Sequence, residues 1–206
     1  MWAIVENNKV IETFNKPKGV VIKNYRHSRK IFELWSKEEL ESIGIYDVVF
    51  DDTNKKDQEW YINTNQTLTY DASADKVTAS YGTATARAIE DTLWTSQDKT
   101  DGKIPSDEDV GDVAVEGLKT IKKRLIDNQC AGILQPSDWR VVRAKETGST
   151  MNSGWKTWRA SIRTKCNSMQ TQIDNASDVD ALAALFTYTT TDGVTSRPLG
   201  EFPEKE

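Results

Sequence analysis

The chain has 206 residues, and its 27 Lys and Arg against 32 Asp and Glu give a formal net charge of −5 at pH 7. This length fits one large domain or two small ones. The acidic balance argues against a general nucleic-acid-binding protein, which usually carries a basic excess. One His and two Cys cannot supply the four ligands of a structural zinc site, so we expect no metal. No apolar run is long enough for a transmembrane helix, and the first residues lack the pattern of a signal peptide, so we expect neither feature.

Residues 1–85 alternate short apolar runs with turn residues, which predicts a small antiparallel sheet with one short helix. Asn7 and Asn8 predict a two-residue hairpin turn, because Asn tolerates positive φ. Ser36 and Glu39 have the spacing of a capping box and predict a short helix that ends before Gly44. Strands are predicted at residues 2–6, 9–14, 20–22, 45–50, 60–62, 67–70 and 76–81.

Residues 86–105 are predicted to form an acidic linker. Between Thr95 and Asp112, six acidic side chains stand against two lysines. We predict that a helix begins at Ser106, because acidic residues in a first turn interact favourably with the helix dipole. Apolar residues then recur at three- and four-residue spacing, as on one face of a helix: Val110, Val113, Ala114, Leu118, Ile121 and Leu125.

A second long helix is predicted after a loop at residues 148–154. Its apolar residues recur at heptad-like spacing, which is typical of a packed helix face: Trp155, Trp158, Ile162, Cys166, Met169 and Ile173. The predicted fold class is therefore α+β. The β-rich module spans 1–85, the acidic linker 86–105, a hairpin-like helical module 106–190, and an extended C-terminal tail 191–206.

No motif of a hydrolase, a zinc peptidase, a P-loop or a dinucleotide-binding fold occurs in the chain. His27 is the only imidazole and lies in a basic, polar stretch. A general base needs a positioned partner that orients it, and the neighbours of His27 in sequence offer none. We therefore expect no enzyme activity, no catalytic residue and no cofactor.

Residues 134–165 contain seven basic side chains interleaved with Trp139, Trp155 and Trp158. Three interpretations remain open. The stretch is a groove for single-stranded nucleic acid, in which bases stack on aromatic rings. It is a surface for a partner protein, because Trp and Arg dominate interface hot spots. Or it is internal, with the Trp residues packing the two helices and the basic face meeting the acidic residues 98–112.

Two stretches in this region resemble phage tail assembly chaperone proteins: residues 134–139 (LQPSDW) and 155–163 (WKTWRASIR). In that family a Leu, a Ser/Thr-Asp-Trp and a later Trp-x-x-Tyr/Trp-Arg-x-x-x-Arg recur near the C-terminus, commonly followed by a proline-containing tail. Residues 197–204 resemble such a tail. Residues 35–46 are similar to amino-terminal modules of phage tail proteins and tail-fibre accessory proteins.

The resemblance implies a non-enzymatic bacteriophage tail protein that acts by protein–protein contact. The leading expectation is an accessory protein or chaperone of tail or tail-fibre assembly, which covers an exposed surface or strand edge of its client in the host cell cytoplasm. The alternative is a permanent structural component of the virion tail, such as a connector or fibre-attachment protein. A single-strand nucleic-acid-binding protein is a remote alternative. The expected partner is a tail or tail-fibre protein, with self-association left open, and neither a membrane nor nucleic acid is expected.

The residues expected to bind the partner, or to act as a signature of the fold, belong to the two stretches and the loop between them: Asp138, Trp139, Arg143, Trp155, Trp158, Arg159 and Arg163. Ser137 or Asp138 is expected to accept hydrogen bonds from amides of the next helical turn. The Trp139 ring is expected to pack on Trp155 or Trp158. One of the two arginines, Arg159 or Arg163, is expected to pair with Asp138 and so lock two helices together.

Overall fold

The alternating apolar runs of the first half form strands and the 3.6-residue patterns of the second half form helices, so the predicted α+β class is confirmed. The computed structural model describes residues 1–205. The chain divides into a first compact unit, Met1–Thr85, and a second that begins at Ala86.

Short strands dominate the first unit, with two short helices, α1 (Ile31–Leu34) and α2 (Lys37–Ser42), between the fourth and fifth. The strands are β1 (Trp2–Glu6), β2 (Lys9–Phe14), β3 (Val20–Ile22), β4 (Tyr25–His27), β5 (Ile45–Asp51), β6 (Tyr61–Ile62), β7 (Thr67–Asp71), β8 (Lys76–Ser80) and, at the boundary, β9 (Thr85–Ala86).

The β1–β2 hairpin is confirmed, and its turn has the geometry that the two asparagines predict. Asn7 and Asn8 have φ values of 50° and 60°. Positive φ at both central residues defines the type I′ turn, whose twist matches that of the flanking strands. The turn therefore sets the hairpin register, in which Glu6 lies opposite Lys9.

The main sheet is mixed, which corrects the prediction of a purely antiparallel sheet. Its strand order is β2-β1-β5-β8-β7, and β5 and β8 run parallel, with Val48 opposite Val77. After β5 the chain first forms β7 at the edge of the sheet. It then returns as β8, which lies between β5 and β7 and runs antiparallel to β7. Strand alternation along the sequence shows that a strand exists but does not show which neighbour it pairs with.

The alternation of side chains along the strands divides the core of this unit between the two faces of the sheet. Ala3, Val5 and Val77 belong to one buried cluster, whereas Ile4 and Ile45 belong to another that packs with α1 and α2. The edge strands β2 and β7 contact each other, so the sheet curls around the first cluster. Burial of each large aliphatic side chain contributes about 1.5–3 kcal/mol to the hydrophobic stabilisation.

The predicted capping box of α2 is confirmed. The Glu39 amide donates to Ser36 Oγ at 3.2 Å, and the Ser36 amide donates to Glu39 Oε2 at 2.7 Å. Gly44 follows the helix with a φ of 92°, and a Cβ at that position would lie 2.7 Å from the Val5 carbonyl oxygen. Glycine is therefore required where the chain leaves α2 and joins β5.

Four helices form most of the second unit: α4 (Leu118–Leu134), α5 (Asp138–Glu146), α6 (Ser153–Asp174) and α7 (Val179–Phe186). Its shorter elements are β10 (Thr92–Leu93), α3 (Ser96–Thr100), β11 (Val113–Val115), a 3-10 turn (Gln135–Ser137), β12 (Thr189–Thr191) and β13 (Val194–Ser196). None of the helices within residues 1–205 has the length and apolarity that crossing a bilayer requires.

The segment predicted as an acidic linker is instead a folded part of the second unit, and the helix predicted from Ser106 begins at Leu118. Strand β10 pairs antiparallel with β11, so Val113 lies in a strand rather than on a helix face. Gly111 has a φ of 97°, which is incompatible with a continuous right-handed helix. Long-range pairing therefore overrides the local spacing pattern here.

The buried face of α4 also differs from the prediction. Residues at four-residue intervals are buried, namely Leu118, Lys122, Ile126, Cys130 and Leu134, and they pack mainly against α6. The predicted Ile121 and Leu125 are instead 40% and 42% exposed. Two overlapping stripes are present in this sequence, and the position of α6 selects between them. The stem of Lys122 completes the buried stripe, and its ammonium lies 5.0 Å from the centre of the Phe186 ring.

The face predicted for α6 is confirmed over its C-terminal two thirds, where Ile162, Cys166, Met169 and Ile173 are buried. Trp155 and Trp158 are only half-buried, and Arg159 is buried instead. The C-terminal residues were predicted as an extended tail from residue 191. In the structure, β12 and β13 form a hairpin there, and Leu199 is fully buried.

Cys130 and Cys166 are both free and buried, and we expect Cys166 to resist alkylation. Burial, with the nearby Cys130 thiol and Asp127 carboxylate, raises the pKa of the Cys166 thiol to about 12. In the unfolded chain a thiol has a pKa of about 8.5. Iodoacetamide at pH 8 should therefore modify Cys166 much more slowly in the native protein than in guanidinium chloride, as followed by mass spectrometry.

The same shift predicts the direction of a pH effect on stability. The raised pKa contributes stability that is fully present below pH about 8.5 and is lost as the pH rises towards about 12. Equal alkylation rates in the native and unfolded protein would contradict the buried, protonated state of Cys166.

Candidate functional site

The candidate residues lie where α4 ends and α5 begins, and along the first half of α6. Pro136 lacks an amide proton, so the regular hydrogen bonding of α4 cannot continue through it. The chain forms the 3-10 turn and restarts as α5. Ser137 is 1% exposed, and its hydroxyl donates to the Leu134 carbonyl at 2.7 Å. The expected capping of α5 by Ser137 or Asp138 is absent: the Ser137 side chain caps no amide in this helix, and Asp138 pairs with an arginine.

That arginine is Arg159, which connects the turn to α6. Its guanidinium donates to the Leu134 carbonyl oxygen at 2.8 Å, to Ser137 Oγ, and to Asp138 Oδ1 at 2.6 Å. The residue is only 5% exposed, so these bonds replace the water that a buried guanidinium loses. The expected pairing of Asp138 with one of the two arginines is confirmed for Arg159. Arg163 instead donates to the Arg159 carbonyl at 3.4 Å.

A second connection between α5 and α6 is aromatic. The Arg140 guanidinium lies 4.5 Å from the centre of the Trp139 ring and 4.4 Å from that of Trp155. The expected packing of the Trp139 ring on Trp155 or Trp158 is therefore not found among the described residues, because the Arg140 guanidinium lies against both Trp139 and Trp155. Trp155 packs edge-on against Trp158 at 5.5 Å, and the Trp158 indole donates to the Pro203 carbonyl at 3.0 Å. The two α6 rings therefore form a half-buried cluster at the surface.

A groove lies between α5, the loop that follows it and the start of α6. It comprises two adjoining cavities of about 230 Å³ and 410 Å³. Ala144, Ser149, Thr150 and Met151 line both cavities. The loop ends at Asn152, whose side chain accepts hydrogen bonds from the Gly154 and Trp155 amides and so begins α6. We call this feature the α5–α6 groove.

The groove is basic. Among the described residues, its lining includes five cationic side chains, Arg140, Arg143, Lys156, Arg159 and Arg163, and no carboxylate. In residues 1–205, no carboxylate lies within ion-pair distance of Arg143, Lys156 or Arg163. The groove therefore presents cations whose charges are not neutralised by the described part of the chain.

The interpretation in which this basic face meets the acidic residues 98–112 is wrong. Asp98 and Asp101 pair with Lys103, and Asp109 pairs with Lys99. Glu108 accepts a hydrogen bond from the Trp94 indole. The acidic stretch therefore stabilises itself locally and leaves the groove open.

All seven predicted site residues fall on α5 and α6, but they divide into two groups. Asp138 and Arg159 hold the helices together, and Trp155 and Trp158 pack at the helix junction. Trp139, 50% exposed, and the exposed Arg143 and Arg163 remain available to a partner. The predicted site residues did not include Arg140 or Lys156, and Ser137 was expected only as a cap of α5. The alternation of Arg and Trp in residues 139–140 and 155–159 was the one available signal for Arg140.

The arrangement is suited to binding a ligand that is both apolar and anionic. Half-exposed indole rings contribute apolar contact, and unpaired guanidinium and ammonium groups contribute charge-assisted hydrogen bonds.

His27 lies in the first unit, edge-on to Trp35 at 5.7 Å. Within residues 1–205, no group of three or more His, Cys, Asp or Glu side chains is arranged to hold a metal ion.

Comparisons with protein-family models, with curated proteins and with solved structures each give no match to this chain.

Proposed function

We propose that this chain is a non-enzymatic bacteriophage tail protein that acts by contact with another protein, as an accessory protein or chaperone of tail or tail-fibre assembly. Its partner is a tail or tail-fibre protein, and it acts in the host cell cytoplasm during assembly. The resemblance of residues 134–139 and 155–163 to tail assembly chaperones supports the phage context. The properties of α5 support action by protein contact.

The observation that carries the proposal is that α5 buries none of its nine residues. Trp139, Val141 and Val142 are 50%, 45% and 53% exposed. A helix of this length is only marginally stable by itself and usually gains stability from packing an apolar face. An exposed Trp beside arginines is also the composition of interface hot spots. We infer that α5 packs its exposed apolar side chains against a partner.

Mass spectrometry of gradient-purified virions of the parent phage, and of the infected cells, tests the role. An assembly chaperone is abundant in the cells and absent from the particles. Presence at a fixed ratio to the tail proteins would contradict the chaperone role and indicate the alternative, a permanent tail component.

We expect Trp139→Ala to weaken partner binding strongly while leaving the fold intact. Because half of the side chain is exposed, the free energy of unfolding should fall by less than about 1 kcal/mol. Loss of a hot-spot Trp should reduce partner affinity by about 2 kcal/mol or more. Urea denaturation measures the first quantity, and capture of tail proteins from infected cells measures the second.

Tyr25→Ala is the matched control, because Tyr25 is an aromatic residue on β4 that is 73% exposed. It should change neither stability nor capture. Unchanged capture by a folded Trp139→Ala protein would contradict the role of α5 as the contact surface.

A further inference from the structure

The lining of the α5–α6 groove indicates the chemical class of the partner segment that it binds. This inference rests on the proposed function. Of its five cations, Arg159 is held by Asp138 and by the turn before α5. Arg140 lies over two indole rings. Arg143, Lys156 and Arg163 are exposed, and within residues 1–205 none of them has a carboxylate partner. These three side chains are therefore available to an anion from outside.

The acidic stretch at 98–112 is a poor source of that anion, because Asp98, Asp101 and Asp109 are already in ion pairs with lysines of the same stretch. In a second copy these three carboxylates would be occupied in the same way. We therefore assign the acidic group to a different molecule.

Single-stranded nucleic acid is a poorer fit, because successive bases need several free aromatic faces and Trp139 is the one ring of the described groove lining that is half exposed. Base recognition without sequence preference depends on free aromatic faces. Two cations occupy the Trp155 ring, because the Arg140 guanidinium and the Lys205 ammonium lie 4.4 Å and 4.6 Å from its centre, whereas Trp139 has only Arg140 and stays half exposed.

We propose that the α5–α6 groove binds an acidic peptide segment of the partner protein. Carboxylates of the segment contact Arg143, Lys156 and Arg163. An apolar side chain of the segment packs against Met151 and the exposed Trp139. The proposal rests on charge complementarity between carboxylates of the segment and the cations of a groove that also has an apolar wall.

Fluorescence anisotropy with a labelled six-residue peptide, made of two acidic residues followed by a leucine and repeated once, tests the proposal. The full chain should bind this peptide, and binding should weaken as NaCl is raised to about 0.5 M. Arg143→Gln and Lys156→Gln should each weaken binding by about tenfold, in line with the loss of one charge-assisted contact. Lys145→Gln is the matched control, because Lys145 lies on α5 outside the groove lining, and it should leave binding unchanged.

Three outcomes would overturn the inference. One is the absence of binding by the folded protein. Another is an equal loss of affinity in the Lys145→Gln control, which would indicate a general charge effect. The last is equal or tighter binding of an oligothymidylate of the same charge, which would assign the groove to nucleic acid. The peptide measurement uses purified protein and is independent of the capture of tail proteins. Absence of peptide binding would therefore contradict the inference about the groove without contradicting the proposed function.

Discussion

Replacement of Arg159 by alanine should lower the free energy of unfolding of the second unit by about 3–4 kcal/mol. The guanidinium is 5% exposed and joins the end of α4, the 3-10 turn and the first turn of α5 to α6. Urea denaturation followed by far-UV circular dichroism measures the change.

The physical reason lies in two buried acceptors that would lose the hydrogen bond from Arg159 and keep only the one between them. Ser137 is 1% exposed, and both its hydroxyl and the Leu134 carbonyl accept hydrogen bonds from Arg159. A buried polar group that loses its partner costs about 1–3 kcal/mol. Loss of the packed side-chain stem adds a cavity. Because α5 buries no residue of its own, detachment of Arg159 should also loosen α5.

Asp138→Asn is the control that separates the contribution of the buried hydrogen bonds of Arg159 from that of its ion pair with Asp138. The Asp138 side chain is 57% exposed, so loss of its charge should cost less than about 1 kcal/mol. Equal destabilisation by Arg159→Ala and Asp138→Asn would show that the ion pair, rather than the buried hydrogen bonds to the turn, determines the stability of this junction.

Gly117→Ala should also be strongly destabilising, by about 3 kcal/mol. A Cβ on residue 117 would lie 2.3 Å from the carbonyl carbon of Glu90 and 2.4 Å from its oxygen. Because both are backbone atoms, rotation of a side chain cannot relieve the clash. Thermal and urea denaturation should both report the loss.

The clash would also disrupt the start of α4. Asp91 accepts a hydrogen bond from the Gly117 amide at 2.6 Å and another from Thr120 Oγ1 at 2.8 Å. It therefore accepts from the amide of the N-cap residue, as the N3 side chain does in a capping box, although it lies far upstream in sequence. Displacement of the backbone at Glu90 would weaken both bonds.

Gly132→Ala is the matched control on the same helix. A Cβ there meets nothing within 4 Å, and alanine has a higher helix propensity than glycine by about 0.8–1 kcal/mol. The substitution should leave stability unchanged or raise it. A neutral Gly117→Ala variant would contradict the close packing of the start of α4 against Glu90.

The sequence alone specified the features that depend on interactions between residues close together in the chain. The Asn7-Asn8 turn, the capping box of Ser36 and Glu39, and the apolar stripe from Ile162 to Ile173 all depend on neighbouring residues. Backbone preference and periodicity act within a few positions. For the same reason, residues 134–163 could be recognised as the candidate site from their spacing and charge.

Tertiary structure decided everything that depends on which elements meet. The alternation of apolar and polar residues along the strands could not specify that β5 pairs in parallel with β8. Residues 110–125 have apolar spacing that fits a helix, yet β10 pairs with β11 and Gly111 adopts a positive φ. On α4 two stripes were possible, and contact with α6 buried the one containing Lys122.

The candidate site shows the same division. Composition identified the tryptophans and arginines, but only the fold determined which are buried. Arg159 is buried because the 3-10 turn brings the Leu134 carbonyl and the Ser137 hydroxyl within reach of its guanidinium. Trp155 remains half-buried because α5 approaches it through Arg140 rather than through an apolar face. A side chain is buried when its polar atoms find partners and its apolar surface finds a neighbour, and both conditions depend on contacts between residues distant in sequence.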